Sequence, residues 1–264
     1  MIATYRTLLV AQFQQASQYR VSMFLYLLFS LIRPIIFLAA WTAVAAARGG
    51  SVGGFTAADF AGYYVCMALV LHFTTAWNAY EFEFEVAQGR LSPKLLRPLH
   101  PLHYSVVENI TWKFFTAFGL VPALAFVAIT FHARFATEPW QIALFVPSLL
   151  LAAAIRFFLG WIVATAAFWT TRVNSVVTLF DRIMFIFAGQ IAPLALMPGI
   201  LQTIAYVLPF GYIIGVPTDI LRGGATLDQA LVWMGGQVFW LVASYVGLQA
   251  IWRAGVREYS AVGA

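Results

Sequence analysis

Charged residues are scarce in this 264-residue chain, in which 15 basic and 10 acidic residues make up 9% of the sequence. A soluble domain has about 25% charged residues, so these few could not cover a globule of this size with polar surface. Hydrophobic residues make up 62% of the chain, and its mean hydropathy is +0.84. The composition therefore predicts a protein embedded in a lipid bilayer and excludes a disordered, collagen-like or coiled-coil chain.

Cysteine and lysine are nearly absent, which excludes several kinds of site. The single cysteine, Cys66, rules out an internal disulfide and a cysteine zinc site. A phosphate-binding loop needs a Gly-Lys-Ser/Thr sequence, but Lys94 follows a proline and Lys113 follows a tryptophan. His100 and His103 have no further metal ligand nearby. We therefore expect no catalytic residue, cofactor or metal in this chain, and its scattered basic residues do not indicate nucleic-acid binding.

Six apolar segments are long enough to cross the bilayer, because about 20 helical residues span its ~30 Å hydrocarbon core. They predict an all-α, polytopic membrane protein that forms one domain over residues 1–264. Thr56 and Asp59 have the spacing of a capping box before the second span, and Ser105 and Glu108 have it at the start of the third. The predicted spans are 21–47, 57–79, 105–132, 141–169, 175–197 and 229–252.

Three further segments flank or interrupt the spans. Residues 1–20 are too polar to cross a bilayer, and we expect an amphipathic helix on the inner surface rather than a frayed leader. Residues 80–104 form the longest polar connection. Residues 198–228 are apolar but are cut by prolines and a glycine pair into pieces of about 10 residues, which predicts re-entrant or external helices.

The distribution of basic residues predicts the orientation. Cytoplasmic segments carry an excess of lysine and arginine, and with the amino terminus inside, nine basic residues lie in the cytoplasm against three outside. An even number of spans then places both termini in the cytoplasm. The nine are Arg6, Arg20, Arg90, Lys94, Arg97, Lys113, Arg172, Arg253 and Arg257, and the three are Arg48, Arg134 and Arg222.

The connection between the second and third spans predicts a short helix. Gly89 allows a sharp turn, and Ser92-Pro93 resembles a helix cap followed by a first-turn proline. Pro98 disfavours helical geometry before it, which limits the helix to about 93–97. Leu95 and an adjacent leucine lie on this helix. They could insert into a groove of another protein or dip into lipid, and the residues alone favour neither.

A resemblance to a known family rests on several of these segments. Gly89-Arg90-Leu91 followed by Leu95-Leu96-Arg97-Pro98-Leu99 resembles the cytoplasmic loop of permease subunits of type-2 ATP-binding-cassette (ABC) exporters. Gln18-Tyr19-Arg20, the six spans and the proline-broken stretch before the last span extend the likeness over most of the chain.

The resemblance implies an assembly and a role for the loop. In that family two permeases pair, and two separate ATPase subunits dock beneath them and bind ATP and magnesium. The loop after the second span serves as a coupling helix, and the broken segment forms short external helices. The residues that the resemblance assigns to ATPase coupling are Gly89, Arg90, Leu91, Leu95, Leu96, Arg97 and Pro98.

Polar residues inside the predicted spans are the other candidate site. Arg33 and Arg156 fall near mid-span, and His72 lies in the second span. An arginine in mid-membrane costs at least about 2.5–3.5 kcal/mol, so it should face protein or water. For both arginines a buried structural pairing and a place on the translocation path remain open. For His72 packing is favoured.

The sequence therefore predicts the permease subunit of an ABC exporter in a bacterial inner membrane, without enzymatic activity of its own. Few fixed charges favour an amphipathic or lipid-like cargo. The alternatives are a membrane-embedded enzyme and a stand-alone secondary transporter. An enzyme would need clustered carboxylates or histidines, and a secondary transporter would usually show internal repeats.

Overall fold

The computed structural model describes residues 2–170 and 173–259, so Arg172 lies outside the described residues. Five of its helical segments are long and apolar enough to span a bilayer, which confirms an all-α, polytopic membrane fold. The helices are α1 (Ile2–Ala16), α2 (Arg20–Ala47), α3 (Ala57–Thr74), α4 (Asn78–Ala87), α5 (Leu91–Leu95), α6 (Leu102–Thr130), α7 (Pro139–Ala164), α8 (Val173–Phe187), α9 (Gly199–Val207), α10 (Phe210–Ile213), α11 (Gly215–Leu221) and α12 (Leu227–Glu258).

Both ends of the described chain lie at the same end of the bundle. The Tyr5 hydroxyl of α1 hydrogen-bonds to His103 Nδ1 at the start of α6. At the other terminus, the hydroxyls of Tyr259 and Ser92 are 2.9 Å apart. We call this side, where residues 88–101 connect α4 to α6, the loop end, and the other side the opposite end. The shared position of the termini agrees with an even number of crossings.

Local capping explains where several spans begin. The capping box at Thr56 and Asp59 is present, and a second one at Thr226 precedes α12. The box predicted at Ser105 and Glu108 is wrong as a helix start, because α6 already begins at Leu102. Its N-cap is a proline whose φ of −51° suits helical geometry. The glycine-rich turn after α2 forms a small hairpin of β1 (Ser51–Val52) and β2 (Phe55–Thr56).

The fifth span differs from the continuous helix predicted at 175–197. Helix α8 ends at Phe187, and at about 1.5 Å per residue its 15 residues cover only about 22 Å. Gly189 ends it with a φ of +86°, a conformation that strains other residues. The irregular segment that follows is held by α2 and α3: Tyr63 donates to the Gly189 carbonyl, and Trp41 donates to that of Ile191, both at 2.7 Å. Buried carbonyls outside the helix are thereby satisfied.

Helices α9, α10 and α11 form a re-entrant hairpin. The chain enters at the opposite end, where Leu196 lies against Gly53, and it leaves there too, because the Arg222 carbonyl accepts from the amide of Ala136 at 3.2 Å. The axes of α9 and the α10–α11 unit are bent by 74°. The hairpin therefore begins and ends at the same end of the bundle, as expected of a re-entrant segment, and the predicted fifth span corresponds to α8 together with residues 188–198.

The tip of the hairpin reaches deep into the bundle. The Gln237 amide of α12 donates to the Tyr212 carbonyl at 2.9 Å and to the Ser148 carbonyl of α7 at 3.1 Å. Gln237 lies ten residues after the start of α12, or about 15 Å below it, which is half the hydrocarbon thickness. The segment that the prolines interrupt thus reaches deeper into the bundle than the sequence indicates.

The described residues form three buried clusters, and two of them make up most of the interior. The larger one joins α2, α3, α7 and the hairpin toward the opposite end and includes Phe60, Tyr63 and Ile214. The second lies toward the loop end and joins α4, α5, α7, α8 and α12 around Phe82 and Trp161. This second cluster positions the loop that carries the predicted coupling residues.

Candidate functional site

The short helix between the second and third spans begins two residues earlier than predicted. Gly89 makes the expected turn with a φ of +67°, but α5 runs from Leu91 to Leu95 rather than over 93–97. The Ser92 side chain does not cap it. Its hydroxyl pairs instead with that of Tyr259 beyond the end of α12, which the sequence could not indicate because 167 positions separate the two residues.

One side of α5 is anchored in the protein. Leu91 is fully buried in the second cluster, and Leu95 is half-buried against it. Lys94 forms an ion pair with Glu85 of α4 and lies over the Tyr104 ring of α6 at 5.2 Å. Helix α5 is thus connected to α4, to α6 and, through Ser92, to the residue that follows α12.

The other side of the loop is exposed. Leu96 is 88% exposed, the highest value among the large hydrophobic residues of the described chain. Arg97 and Pro98 beside it are exposed as well, and so is Arg90, whose guanidinium lies 5.1 Å from the centre of the Phe84 ring. The exposed surface of the loop therefore combines one leucine with two arginines.

A histidine supports the loop from behind. The His100 ring packs on Trp252 of α12, with ring centres 4.5 Å apart. Burial lowers the pKa of His100, and the nearby His103 lowers it further. The ring is accordingly neutral near pH 7 and can pack against an indole without an unpaired charge.

The structure brings the three polar candidates of the spans together at one cavity. Arg33 of α2, His72 of α3 and Arg156 of α7 all line a cavity of about 320 Å³ between these helices, α6 and α8. A second cavity of about 270 Å³ shares Tyr26 and Trp77 with it and continues toward the loop end. This arrangement is a property of the tertiary fold, since the three residues are far apart in sequence.

Each of the three has a different environment. Arg33 is exposed, and its guanidinium lies 5.0 Å from the centre of the Phe185 ring. His72 Nε2 lies 3.1 Å from the Thr116 hydroxyl, while the buried Nδ1 has no hydrogen-bond partner. Nη1 of Arg156 is also buried without a partner. Two of the three candidates thus line the cavity and also have a buried polar atom without a hydrogen-bond partner.

Two further cavity residues were not among the predicted site residues. Asp181 of α8 lines the cavity and accepts a hydrogen bond from Tyr80 at 3.4 Å. Gln190, which is 5% exposed, lines it from the irregular segment after α8. Asp181 is a charged residue in an apolar segment, which was a usable signal, but nothing local marked Gln190.

Comparison with known proteins assigns the family. Residues that could hold a metal ion do not cluster in the described part of the chain. No curated protein that was compared with the chain matches it. The family model described as ABC-2 family transporter protein matches residues 22–263, a range that includes the loop, the cavity and the hairpin. The chain therefore belongs to the ABC-2 transporter family and is a membrane-spanning permease component of an ABC transporter.

Proposed function

We propose that the chain is one permease of an ATP-driven exporter, paired with a second permease that is identical or homologous. Two separate ATPase subunits dock at the loop end, bind ATP and magnesium, and carry out the hydrolysis. The cargo is amphipathic or lipid-like and passes between the two permeases. The protein lies in the bacterial cytoplasmic membrane with the loop end and both termini in the cytoplasm.

The main observation behind this proposal is the contrast between the two sides of the loop. Leu91 is buried in the protein's own core, whereas Leu96 is exposed on the same loop as Arg90 and Arg97. An exposed leucine at the end of a short, braced helix has no packing role in its own chain. It fits a partner groove, where a fully buried leucine contributes about 1.5–3 kcal/mol.

Affinity purification tests the docking role. The tagged chain is extracted from its native membranes in mild detergent, and ATP hydrolysis in the eluate is measured. We expect an ATPase to co-purify with the wild type and Leu96→Glu to lower the recovered activity at least about tenfold, because 1.4 kcal/mol corresponds to a factor of ten. The chain stripped of all other proteins should not hydrolyse ATP.

Leu227→Glu is the matched control, because Leu227 is an exposed leucine at the opposite end. It should retain wild-type recovery of ATPase activity. Equal recovery with both variants would mean that Leu96 is not a docking residue. ATP turnover by the stripped chain would contradict the permease assignment itself.

A further inference from the structure

Arg156 is a charged residue inside the bundle that forms no ion pair with another described residue. It lies on α7 near mid-span, lines the 320 Å³ cavity, and has a buried Nη1 without a hydrogen-bond partner. The ion pairs of the described residues are Lys94 with Glu85 and Arg222 with Asp219, so none of their carboxylates lies within 4.0 Å of Arg156. An unpaired charge inside a protein is strongly unfavourable unless another group compensates for it.

The remaining groups of the cavity have the chemistry of an anion site. Arg33 adds a second positive charge where the cavity wall is exposed, and it too has no ion-pair partner among the described residues. His72 also lines the cavity, with its Nε2 paired to the Thr116 hydroxyl. Asp181 is the carboxylate that the described residues contribute to this cavity. It accepts a long hydrogen bond from Tyr80 at 3.4 Å and also attracts the charge of Arg156. Arg33, Arg156 and Asp181 together give the described wall two positive charges and one negative charge.

The neighbouring cavity restricts where an anion can lie. Glu81 and Glu108 line the part toward the loop end together with Lys113, so carboxyl groups outnumber basic groups there. Basic groups outnumber carboxyl groups in the cavity that contains Arg156 and Arg33. An anion is therefore favoured there over the part nearer the loop end. Apolar side chains, among them Phe29 and Leu120, also line the cavity that contains Arg156.

We propose that this cavity binds the anionic headgroup of a lipid-like molecule, a phosphate ester or a carboxylate, with Arg156 as its main counter-charge and Arg33 at the exposed edge. The apolar wall accommodates the start of the tail. A volume of about 320 Å³ lies at the lower end of the range for ligand pockets, about 300–1,000 Å³, which suits a headgroup rather than a whole lipid. The claim that this cavity is the cargo site of the exporter rests on the proposed function. The claim that it binds an anion does not.

Lipid retention by the full chain tests the site without an ATPase. The chain is placed in phosphatidylcholine nanodiscs that contain a minor fraction of phosphatidylglycerol, and the lipids that stay bound are counted by native mass spectrometry. Phosphatidylglycerol should be retained in excess of its share of the nanodisc. Arg156→Gln should weaken its retention about tenfold, because a charge-assisted hydrogen bond is lost. Asp181→Asn should strengthen it, because a repelling charge is removed.

Two further variants test the interpretation. Arg33→Gln removes an exposed charge and should lower retention several-fold, so it decides the result if Arg156→Gln fails to fold. Arg182→Gln is the matched control, because Arg182 is an exposed arginine beside Asp181 that does not line the cavity. It should retain phosphatidylglycerol within twofold of the wild type.

Three results would overturn the proposal. The first is retention of the two lipids in the same ratio as in the nanodisc, which would mean that water alone solvates Arg156. The second is an equal loss of phosphatidylglycerol retention in Arg182→Gln, which would mean that retention depends on surface charge in general. The third is full displacement of the lipid by millimolar inorganic phosphate, which would assign the site to a free anion. The lipid-retention test contains no ATPase, so a negative result in it does not bear on docking at Leu96. A negative result in the docking test likewise does not bear on lipid retention.

Discussion

Replacing Leu91 and Leu96 by alanine, one at a time, should separate folding from docking at the loop that we propose docks the ATPase. Leu91 is 0% exposed and Leu96 is 88% exposed, although five positions separate them in the same loop. Truncation of a buried leucine costs about 2–5 kcal/mol, because contacts are lost and a cavity remains. An exposed side chain away from special features changes stability by less than about 0.5 kcal/mol.

The expected difference is large enough to measure in detergent. One kcal/mol shifts the melting temperature of a domain of about 150–250 residues by roughly 2–4 °C. Leu91→Ala should therefore lower the melting temperature of the detergent-solubilised chain by roughly 5–15 °C, and Leu96→Ala should change it by less than about 2 °C. Thermal denaturation followed by size-exclusion chromatography gives both values.

The same two variants should behave in the opposite order in ATPase recovery. At a temperature where both are folded, Leu96→Ala should reduce co-purification of the ATPase more than Leu91→Ala does. If Leu96→Ala destabilises the chain as much as Leu91→Ala, the side chain is packed in the protein and the reasoning from exposure is refuted.

Two further predictions concern the hairpin and the topology. Gln237→Leu should destabilise the chain by about 1–3 kcal/mol, since two buried carbonyls lose a donor. Gln15→Leu, at an exposed position, is the control and should not destabilise it. The melting temperatures of the two variants test this, and equal values would mean that Gln237 does not hold the hairpin tip. Reporter fusions at Gly50 and Gly224 should be external and a fusion at Gly89 internal, and an internal reporter at Gly50 would reverse the orientation argued from the basic residues.

Much of the fold followed from local features of the sequence. Composition predicted a membrane protein because too few charges exist to cover a soluble surface. The Thr56 capping box and the turn at Gly89 were predicted because each depends on residues within a few positions. The lack of a phosphate-binding loop is likewise a property of short sequence windows. These features need no knowledge of which helices are neighbours.

Other features depended on contacts between distant residues. Helix α8 ends at Phe187 rather than at 197, and the side chains that satisfy the irregular backbone after it come from Trp41, Tyr63 and Tyr64. The start of α6 at Leu102 also differed, because a capping-box pattern inside a helix has the same spacing as one at its end. Helix boundaries near glycine and proline are decided by such contacts as much as by propensity.

The candidate sites show the same division. The sequence drew attention to the loop between α4 and α6 and to three polar residues of the spans, since glycine, proline and intramembrane charges are conspicuous in an apolar chain. It could not determine that Leu91 is buried while Leu96 is exposed, because both are leucines in one short loop and only the packing of α4, α7 and α12 distinguishes them. Nor could it place Arg33 and Arg156 at one cavity, because that depends on which helices lie side by side.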